Sequence, residues 1–307
     1  NYMIENGNKV PFKFYFGAPS CVPATPFETA GGEITADDIN KLLERKEIVY
    51  MAEMMNWPGT VNRDPLVMEK IALAKKYGKP IDGHAPGLKG DLAAKYASAG
   101  ITTDHECFTK EEALDKLQLG MKIAIREGSA AKNFEALIDL IDDYPEMIMF
   151  CSDDKHPDNL AESHINELVS RAVKKGKDLF DVLKAACITP ILHYRLDVGM
   201  LKLGDPADFI LVNDLMNFEV LETYINGQLV AKDGKSLISS VIDEKVNHMN
   251  RFDCSLLHKG DFAMPFTGQL TVPVIEALDG QLITNRLDIE PKIKGNEMVS
   301  DIERDIL

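Results

Sequence analysis

Positive charge is what this chain is short of. Its 34 lysines and arginines face 49 aspartates and glutamates, for a formal net charge of -15 over 307 residues. A surface of that sign repels phosphate backbones, so nucleic acid is not expected as a general partner. No apolar run approaches the roughly 18 residues of a membrane-spanning helix, so no membrane partner is expected either. The opening Asn-Tyr-Met-Ile-Glu-Asn-Gly-Asn has no basic region, apolar core or cleavage site, so it is not expected to be a secretory leader. Cysteine is sparse and scattered, at positions 21, 107, 151, 187 and 254, with no Cys-x-x-Cys spacing. An odd, dispersed set fits reduced thiols and a cytoplasmic location. No strand is followed by Gly-x-Gly-x-x-Gly, Gly128-Ser129-Ala130 lacks a phosphate-loop lysine, and there is no Gly-x-Ser-x-Gly elbow. These absences argue against a dinucleotide-binding domain, a P-loop and a serine hydrolase.

What is present is a regular alternation. Residues 10–17 are aromatic and strand-like. A loop with Pro19, Pro23 and Pro26 follows and carries Ser20 and Cys21. Thr35 can cap a helix with Ile39, Leu42 and Leu43 on one face. Residues 48–55 form a nearly all-apolar strand, as expected of one buried on both faces. Asp64 and Pro65 open the next helix and Gly78 closes it. Four more strands are expected at 80–84, 101–105, 121–126 and 147–151, each followed by a helical stretch, with further helices over 178–187 and 190–195. Six such cycles imply a parallel α/β sheet with right-handed crossovers. A closed (β/α)8 barrel needs eight strands, so six mean either an open doubly wound sheet or a barrel missing two units. Near residue 198 the pattern turns to short strands with an Asn226-Gly227 hairpin. The expected domains are 1–198, a small β-sandwich portion at 199–247, and the start of a further domain at 248–307.

In a parallel βα architecture the carboxyl ends of the strands share one face, where ligands and catalytic groups collect. At those ends stand Ser20, Glu53, His84, His105 with Glu106, Arg126 to Ser129, and Asp153 with Asp154. Two imidazoles on consecutive strands among several carboxylates make a metal-site inventory of nitrogen and hard oxygen donors. Glu53 lies in an apolar run where an unpaired carboxylate is expensive, and it can bridge two metals. Any one of these residues could instead cap a helix or be a satisfied buried polar group. Glu106 could orient a substrate, shuttle a proton or be structural; Arg126 could pair with a barrel carboxylate. Spacing does not separate Asp153 from Asp154. Asp104 reads as a strand-end or cap group, and His156 and His164 as loop residues. His193, His248 and His258 carry no signal.

The segments Met-Ala-Glu53-Met-Met-Asn, Asp-Gly-His84-Ala-Pro-Gly-Leu, Thr-Thr-Asp-His105-Glu106, Ile-Arg126-Glu-Gly-Ser and Cys-Ser-Asp153-Asp154 resemble those of the bacterial adenine deaminases of the amidohydrolase superfamily. Residues 11–25 and Gly-Asp205-Pro-Ala-Asp208-Phe-Ile are also similar to that family, so the likeness covers essentially the whole chain. It implies a partial TIM-like barrel holding strands three to eight, then a small β subdomain and part of a C-terminal adenine-deaminase domain. Strands one and two, with the family's His-x-His pair, are expected upstream of Asn1, and the rest of the C-terminal domain after Leu307. No His-x-His occurs in the 307 residues.

The resemblance implies hydrolysis of adenine to hypoxanthine and ammonia in purine salvage, by a hydroxide that divalent Mn2+ or Fe2+ makes available. The complete enzyme would hold two metals. The implied ligands are Glu53 as the bridge, His84, His105 and Asp153. Asp153 would also carry the water proton to the leaving amine, and Glu106 would hold or protonate a ring nitrogen. Ser20, Arg126, Ser129 and Asp154 are the expected substrate contacts, and a homo-oligomer is expected. The alternatives are another deaminase or cyclic-amide hydrolase of the superfamily, or a catalytically incompetent fragment.

Overall fold

A computed structural model of the chain describes residues 1–24, 28, 30–239, 254–279 and 284–307. They divide into two compact units, Asn1–Val241 and Ile242–Leu307. Pro26, His248 and the expected boundary at 247/248 lie outside the described residues.

In the first unit six strands follow the expected order: β1 (Phe16–Ala18), β2 (Ile48–Met54), β3 (Ile81–Gly83), β4 (Thr103–Asp104), β5 (Lys122–Arg126) and β6 (Ile148–Cys151). Strands β1, β2 and β3 make one parallel sheet, and β4, β5 and β6 a second. Backbone joins the two: Thr102 N–H donates to Ile81 O at 2.8 Å, while Thr102 O accepts from Lys122 N–H at 2.9 Å. Helices Ala36–Leu43, Pro65–Lys76, Gly90–Ser98 and Lys110–Gln118 make the first four crossovers. Three start on side-chain caps: Thr35 in a capping box with Asp38, then Asp64 and Thr109. The inner faces bury Ile39, Met51, Ile71, Ile81 and Tyr96 in one cluster and Ile123, Ile125, Phe134, Ile148 and Leu168 in another. Each such side chain contributes about 1.5–3 kcal/mol by leaving water.

Three elements differ from the sequence expectation. The first strand starts only at Phe16, because pairing with β2 begins there; Phe12 and Phe14 stand half exposed. The helical stretch expected after the strand at 121–126, over residues 133–143, is α-helical only over Phe134–Leu137 and then tightens to a 3-10 turn over Ile138–Asp142. In that geometry Ile138 and Ile141, three apart, share one buried face. The helices expected at 178–187 and 190–195 join through a π-turn over Lys184–Ile188. Pro190, which has no N–H to donate, sits at its end and accounts for the widened turn.

Strands β7 (Phe209–Val212), β8 (Val220–Ile225), β9 (Gln228–Lys232) and β10 (Lys235–Ser236) form one antiparallel sheet. Asn226 and Gly227 turn the β8–β9 hairpin with φ of 49° and 77°, as a type I′ turn requires. The sheet belongs to the first unit: Ser170 Oγ donates to Met216 O at 2.8 Å and Asn166 Nδ2 to Phe218 O at 3.2 Å. In the second unit β12 (Val272–Ala277) and β13 (Thr284–Ile289) make a hairpin. Strands β11 (Met264–Pro265), β14 (Lys292–Lys294) and β15 (Glu297–Val299) make a three-stranded antiparallel sheet.

One ion pair ties the N-terminal segment to the β sheet. Lys13 Nζ reaches Asp208 Oδ2 at 2.6 Å and Asp197 O at 2.9 Å, while Asp208 accepts the amides of Gly199 and Asn226 at 2.9 Å each. Burial pushes the Asp208 carboxyl up, but these hydrogen bonds outweigh it and hold it below its ordinary 3.8. A depressed carboxylate adds stability that is complete above its unfolded value and is lost as pH falls through the folded one. Asp208→Asn is therefore expected to lower unfolding free energy at pH 7 by about 2 kcal/mol. In urea titrations the difference from wild type should shrink below pH 3.8.

Candidate active site

Parallel pairing places the carboxyl ends of β2, β3, β4 and β6 on one edge. Glu53 is the penultimate residue of β2, His84 follows β3 directly, His105 follows β4, and Asp153 stands two residues after β6. Gly83 lets the two histidines meet, since a Cβ there would lie 2.3 Å from Thr103 O. The imidazole centroids are 5.4 Å apart. Tyr96, fully buried, fixes both strand ends by donating to Met54 O at 2.8 Å and accepting His84 N–H at 3.1 Å. Ser20 Oγ donates to Glu53 O at 2.5 Å. Asp153 holds a left-handed φ of 45°, which turns the chain back over β6.

Glu53 Oε2 lies 3.0 Å from His84 Nδ1 and 3.2 Å from His105 Nε2. The same His105 nitrogen is 3.2 Å from Asp153 Oδ2 and 3.3 Å from Glu106 Oε1. Behind it Arg126 is buried; its Nη1 pairs with Glu106 and lies 2.7 Å from Asp153 Oδ2, and its Nη2 lies 2.9 Å from Asp154 Oδ1. Gly128 leaves room for that last pair, because a Cβ would fall 2.0 Å from Asp154 Oδ1.

Negative charge is in surplus here. Hydrogen bonds from His105 and His84 hold the Glu53 carboxyl far below the usual range, against burial. The His105 hydrogen bond likewise lowers Asp153. At His105 burial opposes the cation, but Asp153, Glu106 and Glu53 together hold its imidazole well above the ordinary value. The cluster thus favours positive charge at a point where a divalent cation could sit. The buried Glu106 Oε2 has no hydrogen-bond partner among the described residues, while His105 Nε2 is shared among three carboxylate oxygens at 3.2, 3.3 and 3.2 Å. Two overlapping donor groups, Glu53–His84–His105 and His105–Glu106–Asp153, each bring their atoms within 4.8 Å. Imidazole nitrogens, carboxylate oxygens and an orphaned buried oxygen fit a divalent metal.

Of the residues singled out from the sequence, Glu53, His84, His105, Glu106, Arg126, Asp153 and Asp154 come together. Ser20 and Ser129 stand behind them. The Ser20 hydroxyl is spent on the Glu53 carbonyl, and Ser129 Oγ donates to Asn159 Oδ1 at 2.7 Å and accepts His156 N–H at 2.8 Å. His164 contacts Ser152, and His193 packs on Tyr194.

Sequence reasoning passed over Asp82. It accepts from Tyr194 Oη at 2.9 and 3.0 Å and from Thr103 Oγ1 at 2.9 Å, and burial raises its carboxyl to about 6. The available signal was its place two residues before His84, on the same strand face. Asp82, Tyr50 and Tyr194 line a cavity of about 450 Å³ together with Glu53, His105 and Asp153.

The amidohydrolase family matches residues 1–230. Among curated relatives, the adenine deaminase of Salinibacter ruber is 53% identical over 306 residues, covering 100% of this chain and 55% of the relative. That of Sulfurovum sp. is 55% identical over 283 residues, covering 92% and 52%. The adenine deaminase of Borreliella burgdorferi is 48% identical over 313 residues, covering 100% and 56%. The chain thus spans about half the length of the curated relatives it matches. A solved β-aspartyl dipeptidase from Fervidobacterium islandicum shares the fold at a TM-score of 0.52 and 16% identity, over 76% of this chain and 67% of that one.

The buried Arg126 pair makes a direct test of the charge balance. Replacing one partner of a buried ion pair strands the other, which costs about 3–5 kcal/mol. Arg126→Met, leaving Glu106 without its cation, is expected to lose that much in urea unfolding. A loss under about 1 kcal/mol, typical of an exposed pair, would contradict the arrangement.

Proposed function

The chain belongs to the amidohydrolase family, and from that premise we propose that its first unit carries metal ligands and acid–base groups of a centre that hydrolyses adenine to hypoxanthine and ammonia. The observation that carries this reading is the single Glu53 oxygen lying between His84 Nδ1 and His105 Nε2, with Asp153 beside the same His105 nitrogen. The substrate is supported by the relatives named above, adenine deaminases about half identical to this chain. The six parallel strands are proposed to be strands three to eight of a (β/α)8 barrel, supported by the Thr102–Ile81 hydrogen bond that continues one sheet into the next.

Glu53, His84, His105 and Asp153 would hold the metal, with Glu53 placed to bridge two ions. Manganese(II) or iron(II) suits this mixed nitrogen and oxygen set. A bound divalent ion supplies the means to make water a nucleophile near neutral pH. Asp153, ionised at neutral pH because His105 holds its carboxyl low, accepts the proton of the attacking water. It then delivers that proton to the departing amine, so water and adenine leave as hypoxanthine and ammonia. Glu106 Oε2 is buried and unpartnered among the described residues, which leaves it free for the adjacent ring nitrogen. Arg126 offsets Glu106, Asp153 and Asp154 and sets their spacing; it and Asp154 are the proposed purine contacts. Ser20 and Ser129 support the site through Glu53 and the start of the helix Pro157–Glu162. A homo-oligomer is proposed as its assembly. The cytoplasm is proposed as its location, in keeping with cysteines that are free.

A second reading rests on one observation, that the 307 residues contain no His-x-His. The chain by itself would then hold at most one ion, weakly, without turnover. Metal analysis after gel filtration in manganese or iron(II) separates the readings, and two tightly held ions would exclude the second. For turnover, ammonia release is expected from adenine and not from cytosine, and no ring opening is expected of a cyclic amide; the reverse preference sinks the proposed substrate. Where turnover is seen, Asp153→Asn should lower kcat by about 10²- to 10⁴-fold.

A further inference from the structure

The helix Lys110–Gln118 carries a lysine with no exposed surface. Lys116 Nζ donates to Ala85 O at 2.8 Å and to Glu112 Oε1 at 2.9 Å, and lies 3.0 Å from Asp104 Oδ2 and 3.5 Å from Cys107 Sγ. Ala85 follows His84; Asp104 and Cys107 flank His105 and Glu106. One ammonium thus grips the chain beside every ligand contributed by β3 and β4. Glu112 completes the grip, since its Oε1 accepts Gly87 N–H at 2.8 Å and its Oε2 accepts Phe108 N–H at 3.0 Å. Asp104 Oδ1 takes the Glu106 amide at 2.7 Å. No step of the proposed chemistry uses Lys116 or Glu112.

A buried ion cluster seldom adds stability over a well-packed apolar replacement, so its presence calls for a reason of specificity. Here the reason is geometric. The two loops carrying His84 and His105 come from separate sheets, with only short strands to fix them. We infer that Lys116, with Glu112, is a positioning residue that locks the loops after β3 and β4 in the relative placement that aims His84 Nδ1 and His105 Nε2 at the same Glu53 oxygen. The inference rests on the reading of those histidines as metal ligands.

The test uses Lys116→Met and Glu112→Gln in the full chain. Three readouts are taken: cobalt(II) affinity, the cobalt(II) absorption spectrum, and hydrogen exchange of the Gly87 and Phe108 amides in the metal-free protein. Partners behind a ligand set typically contribute 10- to 100-fold in metal affinity, so a loss of roughly that size is expected in both variants. A changed spectrum and faster exchange at those two amides should accompany it. A purely structural role would lower the unfolding temperature alone and leave affinity and spectrum at the wild-type values, which overturns the inference. If Lys116→Met does not fold, Glu112→Gln decides. It keeps an oxygen for Gly87 and Lys116 and loses the acceptor for Phe108, and wild-type cobalt affinity in that variant overturns the inference. Wild-type protein that binds no cobalt(II) at millimolar concentration overturns the metal reading and this inference with it, whereas binding that the variants share overturns this inference alone.

Discussion

The seam between β3 and β4 is the constraint on which the rest of the first unit depends. Two three-stranded sheets become one continuous edge through the Thr102–Ile81 backbone bond. The backbones close to a distance that admits only glycine at position 83. Strands this short contribute few ladder bonds, so side chains take over: Tyr96 pins the ends of β2 and β3, and Thr103 reaches across to Asp82. His84 and His105 face each other because the seam is closed. A wider gap would separate the imidazoles and leave Glu53 to one of them.

Closing the seam gathers like charges. Glu53, Glu106 and Asp153 lie within hydrogen-bonding reach of one imidazole nitrogen, and desolvation makes each unpaired carboxylate expensive. Arg126 offsets part of this from behind, and the rest bears on His105, whose pKa the three carboxylates raise against its own burial. A cluster with this surplus of negative charge and these donor atoms suits a divalent cation. Stability and chemistry meet here: the carboxylates that are costly to bury together are the ones the proposed reaction uses.

Much of this was legible in the linear chain. Alternating apolar runs and helix caps such as Thr35 and Asp64 act locally, so six strands and their crossovers could be read in order. A residue just past a parallel strand has its direction set by the strand, so Glu53, His84, His105 and Asp153 could be placed on one edge without coordinates. Propensity misled where pairing decided: the aromatic stretch at 10–15 is strand-like in composition but lacks a partner strand until Phe16. The break expected between the helices at 178–187 and 190–195 is a π-turn, which the Pro190 just beyond it signals locally without fixing its form.

By itself, then, the amino-acid order determined the α/β alternation, the acidic balance and the set of donors at strand ends, because these follow from side-chain period and type within a few residues. Tertiary structure alone decided which donors share an atom. Asp82 meets Tyr194 across 112 positions, Arg126 meets Asp154 across 28, and Lys116 grips Ala85 across 31. Such pairs are chosen by how helices dock on the sheet and by which charges must be matched once water is gone, and neither is written at any one place along the chain.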